Sequence, residues 1–154
     1  MCLYIDENIH GNSKAPKPLI ATRPYIVWKF LDINNHLIGD EVEYISPYRR
    51  MIYKMGKTYR AKMDCDIDEE GDASVNAGIH AVMALNQREA YYHTGDDAYP
   101  ALIPVGSKFY VGTDDEVVSN TLIVFENMTA LLMHCGAKKP GRPVKASTLV
   151  RKKR

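Results

Sequence analysis

The last nineteen residues, 136–154, contain eight basic residues and no acidic one, and no apolar pattern that could form a core. The whole chain has 20 Lys and Arg and 19 Asp and Glu, so residues 1–135 hold 12 basic and 19 acidic groups. A body of net charge −7 is therefore followed by a tail of net charge +8. Because a highly charged segment cannot bury enough apolar surface to fold, we expect the fold to lie before a basic tail at 137–154.

The remaining chain predicts one α+β domain at residues 20–136, made mainly of antiparallel strands, after an irregular segment at 1–19. Its clearest strand is Tyr25–Leu31, where β-branched and aromatic residues run almost without interruption. A short central helix is predicted at Gln87–His93 and a short C-terminal helix at Met128–Cys135, which Gly136 would end. Further strands are predicted at Gly78–Met83, Ala101–Ile103, Lys108–Val111 and Thr121–Glu126.

The stretch 64–72 is strongly acidic, and its first three aspartates alternate as at the start of an EF-hand loop. Glu69, however, stands where that loop needs glycine, and Val75 stands where it needs the bidentate glutamate. We therefore predict a solvated loop and no metal site. No cofactor is predicted for the chain.

Composition also indicates the compartment. Cys2, Cys65 and Cys135 are odd in number and far apart, which is typical of reduced thiols in an intracellular protein. No apolar run approaches the length of about 20 residues that spans a bilayer. The prediction is a soluble intracellular protein without a membrane partner.

The tail segment 138–145, KKPGRPVK, resembles an AT-hook, in which an extended Gly-Arg-Pro core lies in a narrow A·T minor groove. Pro140 occupies the place of the first arginine of that motif. The resemblance implies contacts with nucleic acid, and the cluster at the C-terminus adds charge for phosphate binding. The predicted nucleic-acid-binding residues are Lys138, Lys139, Gly141, Arg142, Pro143, Lys145, Arg151, Lys152, Lys153 and Arg154.

A series of short motifs runs through the body. The motifs are Met1–Tyr4, Ile20-Ala21, Tyr25–Lys29, Gly56–Tyr59, Gly78–His80, Ala90–Tyr92, Ile103–Tyr110 and Val118–Asn120. In this order they resemble a family of small uncharacterised proteins of phages and large DNA viruses. The resemblance implies a viral origin, in a virion or an infected host cell, and carries no activity with it.

The layout of the body also resembles the core of ADP-ribosyltransferases, with Gly78-Ile-His80 before a short helix and a final strand that ends at Glu126. This resemblance implies that His80 would replace a stacking tyrosine and that Glu126 would be the catalytic carboxylate. Trp28 or Arg23 would then lie on the nicotinamide-binding strand. That strand lacks the His-Gly or Arg-Gly pair of the family.

The favoured function is a non-enzymatic viral binding, structural or assembly protein. Its acidic body would contact viral or capsid proteins, and its basic arm would contact nucleic acid or an acidic protein surface. One alternative is a degenerate ADP-ribosyltransferase-like enzyme acting on NAD. The other is a host-targeting factor whose tail is a localisation signal.

Overall fold

The computed structural model describes residues 3–11, 16–34, 43–46, 51–85, 97–136 and 138–141. Within these ranges the chain forms thirteen β-strands and two short α-helices. The helices are α1 (Glu7–His10) and α2 (Met128–Cys135). The strands are β1 (Leu3–Tyr4), β2 (Leu19–Ile20), β3 (Tyr25–Asn34), β4 (Glu43–Ile45), β5 (Ile52–Tyr53), β6 (Thr58–Arg60), β7 (Asp64–Ile67), β8 (Ala73–Ala77), β9 (Ile79–Val82), β10 (Asp97–Ile103), β11 (Lys108–Val111), β12 (Glu116–Ser119) and β13 (Thr121–Val124).

The strands form a large sheet and a small sheet. The large sheet has the order β2-β11-β12-β9-β3-β10-β13-β6, with β4 paired to β3 and β5 paired to β4. The small sheet has the order β1-β8-β7. Every ladder between these strands is antiparallel, and the longest joins β3 to β10, from Asp97 opposite Leu31 to Ile103 opposite Tyr25. Strand β3 is therefore the central strand of the body.

The predicted fold class is confirmed for the antiparallel sheet and corrected for the helices. The described residues are mostly β rather than a balanced α+β arrangement, because α1 has four residues and α2 has eight. The predicted helix Gln87–His93 lies outside the described residues. The helix at Met128–Cys135 is confirmed, and the Gly136 N–H donates to the Leu132 and Met133 carbonyls at its end.

Apolar residues pack against both faces of the large sheet. Alternate residues of a strand point to opposite faces, so one strand contributes side chains to both packing layers. On β10, Ala101 and Ile103 enter the main core, whereas Leu102 faces Leu131 of α2. At the other end of the sheet, Tyr110 faces the small sheet. The main core contains Ala21, Val27, Leu31, Tyr53, Ile79, Ala81, Met83, Ala101, Ile103, Phe109, Val111, Val117, Leu122 and Val124.

Two segments assigned to loops are ordered. Residues 3–10, expected to be irregular, form β1 and α1. The acidic stretch forms β7 and a turn rather than a solvated loop throughout, and β7 pairs with β8. In the turn, Asp68 Oδ1 accepts the N–H groups of Glu70 and Asp72 at 3.0 and 2.9 Å. Strand pairing decides these short segments, and their own sequences carry little periodicity.

None of the helices within the described ranges has the length and apolar character needed to cross a membrane.

Candidate functional site

The basic tail joins the folded body at Gly141. The Gly141 N–H donates to the Pro24 carbonyl at 2.6 Å, and the Gly141 carbonyl accepts the Ile26 N–H at 2.7 Å. These two bonds form an isolated parallel bridge with Tyr25, at the first residue of β3. The contact between body and tail therefore extends to Gly141, five residues beyond the expected domain end at 136.

The predicted tail residues divide at this bridge. Lys138 and Lys139 are exposed beside it, and the Lys138 N–H donates to the Cys135 carbonyl at 3.1 Å. The other predicted contacts lie outside the described residues: Arg142, Pro143, Lys145, Arg151, Lys152, Lys153 and Arg154. We call residues 142–154 the basic arm; its six cations begin one residue after a fixed point on the body.

Two residues of the transferase-like hypothesis lie on or beside strands that are not neighbours. His80 lies on β9, whereas Glu126 is exposed between β13 and α2. Strands β3 and β10 separate β9 from β13, which corresponds to about 14 Å along a sheet. The His80 side chain donates from Nε2 to the Asn76 carbonyl at 3.4 Å. His80 and Glu126 thus lie on separate parts of the large sheet.

Trp28 and Arg23, the other two residues of that hypothesis, are also placed by the structure. Trp28 is half-buried on β3 and lies opposite Val82 of β9. Arg23 is exposed before β3, next to the Gly141 bridge. Arg23 therefore belongs to the region where the tail leaves the body.

A buried lysine is the most unusual group that the structure reveals. Lys29 follows Tyr25 and Val27 on the face of β3 that enters the main core, and only 7% of it is exposed. Its Nζ donates to the His80 carbonyl at 2.6 Å and lies 5.6 Å from the centre of the Tyr53 ring. Among the described residues no carboxylate forms an ion pair with it.

Four tyrosines, Tyr44, Tyr53, Tyr59 and Tyr99, surround this region and are called the tyrosine cluster. Tyr99 lies opposite Lys29 in the β3–β10 ladder, and Tyr44 lies opposite Tyr53 in the β4–β5 ladder. The Tyr44 and Tyr99 rings meet edge to face at 5.2 Å between centres, and the Tyr53 and Tyr59 rings do so at 4.8 Å. Such pairs add about 0.5–1.5 kcal/mol each beyond the area that they bury.

Burial shifts the pKa values of Lys29 and of two of these tyrosines. Desolvation lowers the pKa of Lys29 to about 8, because burial removes the ammonium from water. Desolvation raises the pKa of Tyr53 to about 12, with a smaller contribution from Tyr59. It also raises the pKa of Tyr99 to about 12, helped by Asp97 and Tyr44. The region around Lys29 and the tyrosine cluster thus disfavours a charge of either sign.

His10 makes two hydrogen bonds that together require a neutral imidazole ring. Its Nε2 accepts the Val111 N–H at 2.8 Å, and its Nδ1 donates to the Lys17 carbonyl at 2.9 Å. Desolvation lowers the pKa of His10, against smaller opposing effects of the Lys17 carbonyl and Asp6. The neutral ring holds α1 against β11.

The described residues contain no group of three or more His, Cys, Asp or Glu side chains placed to hold a metal ion. Cys65 and Cys135 are free thiols, and burial raises the pKa of each. Neither thiol therefore has the lowered pKa of a reactive cysteine.

No protein-family model matches this chain, and no curated protein or solved structure matches it either. The resemblances to viral proteins, to the AT-hook and to ADP-ribosyltransferases stay predictions from the sequence.

Sequence reasoning missed both the buried lysine and the anchored glycine. Lys29 interrupts the apolar run YIVWKFL, whose continuity indicates burial on both faces of the strand. A charged residue within such a run was the signal that could have predicted a buried lysine. The tyrosine cluster comes from strands β4, β5, β6 and β10, so no local pattern could assemble it. Gly141 gave no strand signal, because its single bridge depends on the first residues of β3, which precede the pairing of β3 with β9 at Trp28.

Proposed function

We propose that this protein binds nucleic acid through its basic arm, with the folded body as a non-enzymatic interaction or assembly module. A place in a viral particle, where the arm would face a packaged genome, fits this function. The observation that carries the proposal is the Gly141 bridge, since two backbone hydrogen bonds attach a six-cation segment to the start of β3.

The charges of the arm favour a polyanion of high linear charge density. Residues 142–154 contain Arg142, Lys145 and the cluster Arg151–Arg154, with no acidic residue among them. Each cation that neutralises a phosphate releases condensed counterions, which favours binding at low salt. A protein surface releases far fewer counterions, because its carboxylates are spaced more widely.

The folded body carries the opposite net charge to the arm. Residues 1–141 contain 19 acidic and 14 basic residues, so their net charge of −5 repels a polyanion. The acidic turn between β7 and β8 is exposed at Asp68, Glu69 and Glu70. The net attraction to a polyanion therefore comes from the arm and not from the body as a whole.

The test replaces the six cations of the arm with glutamine in the full chain and measures binding to a short DNA duplex at 50 mM salt. We expect the affinity to fall about 100-fold or more, because the counterion release of six contacts is removed. A matched variant with the order of residues 142–154 scrambled keeps all six charges and serves as the control.

Each outcome decides a part of the proposal. Binding that survives the glutamine variant would exclude the arm as the binding element. A scrambled arm that binds like the wild type supports charge recognition, whereas loss of a preference for A·T duplexes on scrambling supports the AT-hook resemblance. Wild-type binding to polyglutamate and not to DNA would replace nucleic acid with an acidic protein surface.

A further inference from the structure

We infer that Arg23, Lys138 and Lys139 form a fixed phosphate-binding surface on the folded body, where the basic arm begins. We call these three residues the arm root. The inference rests on the proposed function, because it extends the nucleic-acid contact from the arm to the body.

The position of Arg23 follows from the missing side chain at residue 141. A Cβ atom placed on Gly141 would lie 2.7 Å from Arg23 Cδ and 3.3 Å from two ring carbons of Tyr25. The aliphatic part of the Arg23 side chain therefore lies directly against the backbone of Gly141. It fits there because glycine has no Cβ atom. Arg23 is exposed, so its guanidinium stays in contact with water beside the first residue of the arm.

Lys138 and Lys139 add two charges to the same place. Both are exposed and lie within three residues of Gly141. Their backbone is held at one end by the Lys138 N–H bond to the Cys135 carbonyl and at the other by the Gly141 bridge. The negative end of α2, which stops at Cys135, further favours cations at these positions.

Among the described residues, no carboxylate pairs with Arg23, Lys138 or Lys139. An arginine can hold a phosphate with two parallel N–H bonds, whereas a lysine acts as a point charge. Cations on a fixed backbone also lose less freedom on binding than cations on an unanchored segment. Phosphate contacts of this kind set the orientation of a protein on nucleic acid.

The experiment compares Arg23→Gln with Arg60→Gln in the full chain, using one DNA duplex over a series of salt concentrations. Arg60 is exposed on β6, three strand positions from β3, so it matches Arg23 in charge but lies about 14 Å away along the sheet. We expect Arg23→Gln to weaken binding and to reduce the steepness of log K against log salt by about 1, while Arg60→Gln leaves both unchanged.

A second pair extends the comparison to the lysines. Lys138→Gln/Lys139→Gln should reduce the steepness by up to about 2, whereas Lys54→Gln/Lys57→Gln, in the exposed turn before β6, should not. Thermal unfolding of each variant verifies that the fold is intact.

The outcomes separate this inference from the proposed function. If the six-glutamine arm variant loses binding but Arg23→Gln and the double lysine variant match the wild type, the arm root is excluded and the arm still binds. Equal losses for Arg23→Gln and Arg60→Gln would show that any positive charge on the body suffices, which also overturns the inference. If the wild type does not bind DNA, the proposed function itself fails.

Discussion

Two cations at and before strand β3 lie in opposite environments. Arg23, two residues before β3, lies in water beside the Gly141 bridge; six residues further along the chain, Lys29 of β3 lies in the main core. The charge of Arg23 contributes little to folding, since an exposed charge costs no desolvation, and it is available to a ligand. The charge of Lys29 opposes folding, because the ammonium is buried beside the His80 carbonyl and the Tyr53 ring. Residue type alone therefore does not indicate which cations bind a polyanion.

The largest expected effect is on the Lys29 side of this comparison. The pKa of Lys29 is about 8 in the folded protein and 10.5 as its ordinary value, so the unfolded chain binds more protons between those pH values. The free energy of unfolding should therefore rise by roughly 2–3 kcal/mol from pH 8 to pH 10. Chemical denaturation at several pH values measures this rise, which Lys29→Met should abolish.

The tyrosine cluster sets the upper limit of that pH range. The pKa of Tyr53 and of Tyr99 is raised to about 12, so above pH 10 the unfolded chain loses protons first and stability falls. An increase in stability that ends near pH 10 agrees with both effects. A wild type whose stability is flat from pH 8 to pH 10 would contradict the lowered pKa of the buried Lys29.

A smaller effect is expected at His10, which titrates with the same sign in a lower range. The pKa of His10 is lowered in the folded protein, so the unfolded chain takes up the proton first as the pH falls. His10 should therefore leave the free energy of unfolding unchanged above pH 6.5 and reduce it below that value. Protonation removes the acceptor of the Val111 N–H, and an unsatisfied buried donor costs about 1–3 kcal/mol. His10→Gln keeps an acceptor that does not titrate and should flatten the acid limb of the stability curve. An unchanged limb would assign the loss to other groups.

The smallest expected effect is at the Gly141 bridge. Gly141→Pro removes the N–H that donates to the Pro24 carbonyl, and one such bond contributes about 0.5–1.5 kcal/mol. The added Cβ would lie 2.7 Å from Arg23 Cδ, so the flexible Arg23 side chain must also shift. The more sensitive measurement is hydrogen exchange at the Ile26 amide, which donates to the Gly141 carbonyl. Its protection should decrease in the variant while the Val27 and Leu31 region of β3 stays protected. Equal Ile26 exchange in wild type and variant would show that the bridge does not hold the arm.

The sequence predicted the parts of the fold whose signals are local. The strands at Lys108–Val111 and Thr121–Val124 have continuous apolar residues, and α2 has an apolar spacing that ends at Gly136. The pairing of β1 and β7 with β8 was not predictable, because two-residue and acidic strands acquire their structure from a partner.

The candidate site was predictable only as far as its charges. The basic composition of the arm is visible in the sequence, whereas Arg23 joins it through a contact across 118 residues of chain. His80 and Glu126 occur in a suggestive order along the chain, but the strand order separates them. Order along a sequence does not determine distance across a sheet whose neighbours are non-consecutive.

The most direct test of the central claim is the slope of log K against log salt for the full chain on a DNA duplex. Six cations in the arm and three in the arm root predict a steep slope, reaching at most about −8 if every cation neutralises a phosphate. The six-glutamine arm variant should retain a slope no steeper than about −3. A wild-type slope near zero, or one that the arm variant shares, would contradict an arm that binds nucleic acid from a fixed origin on β3.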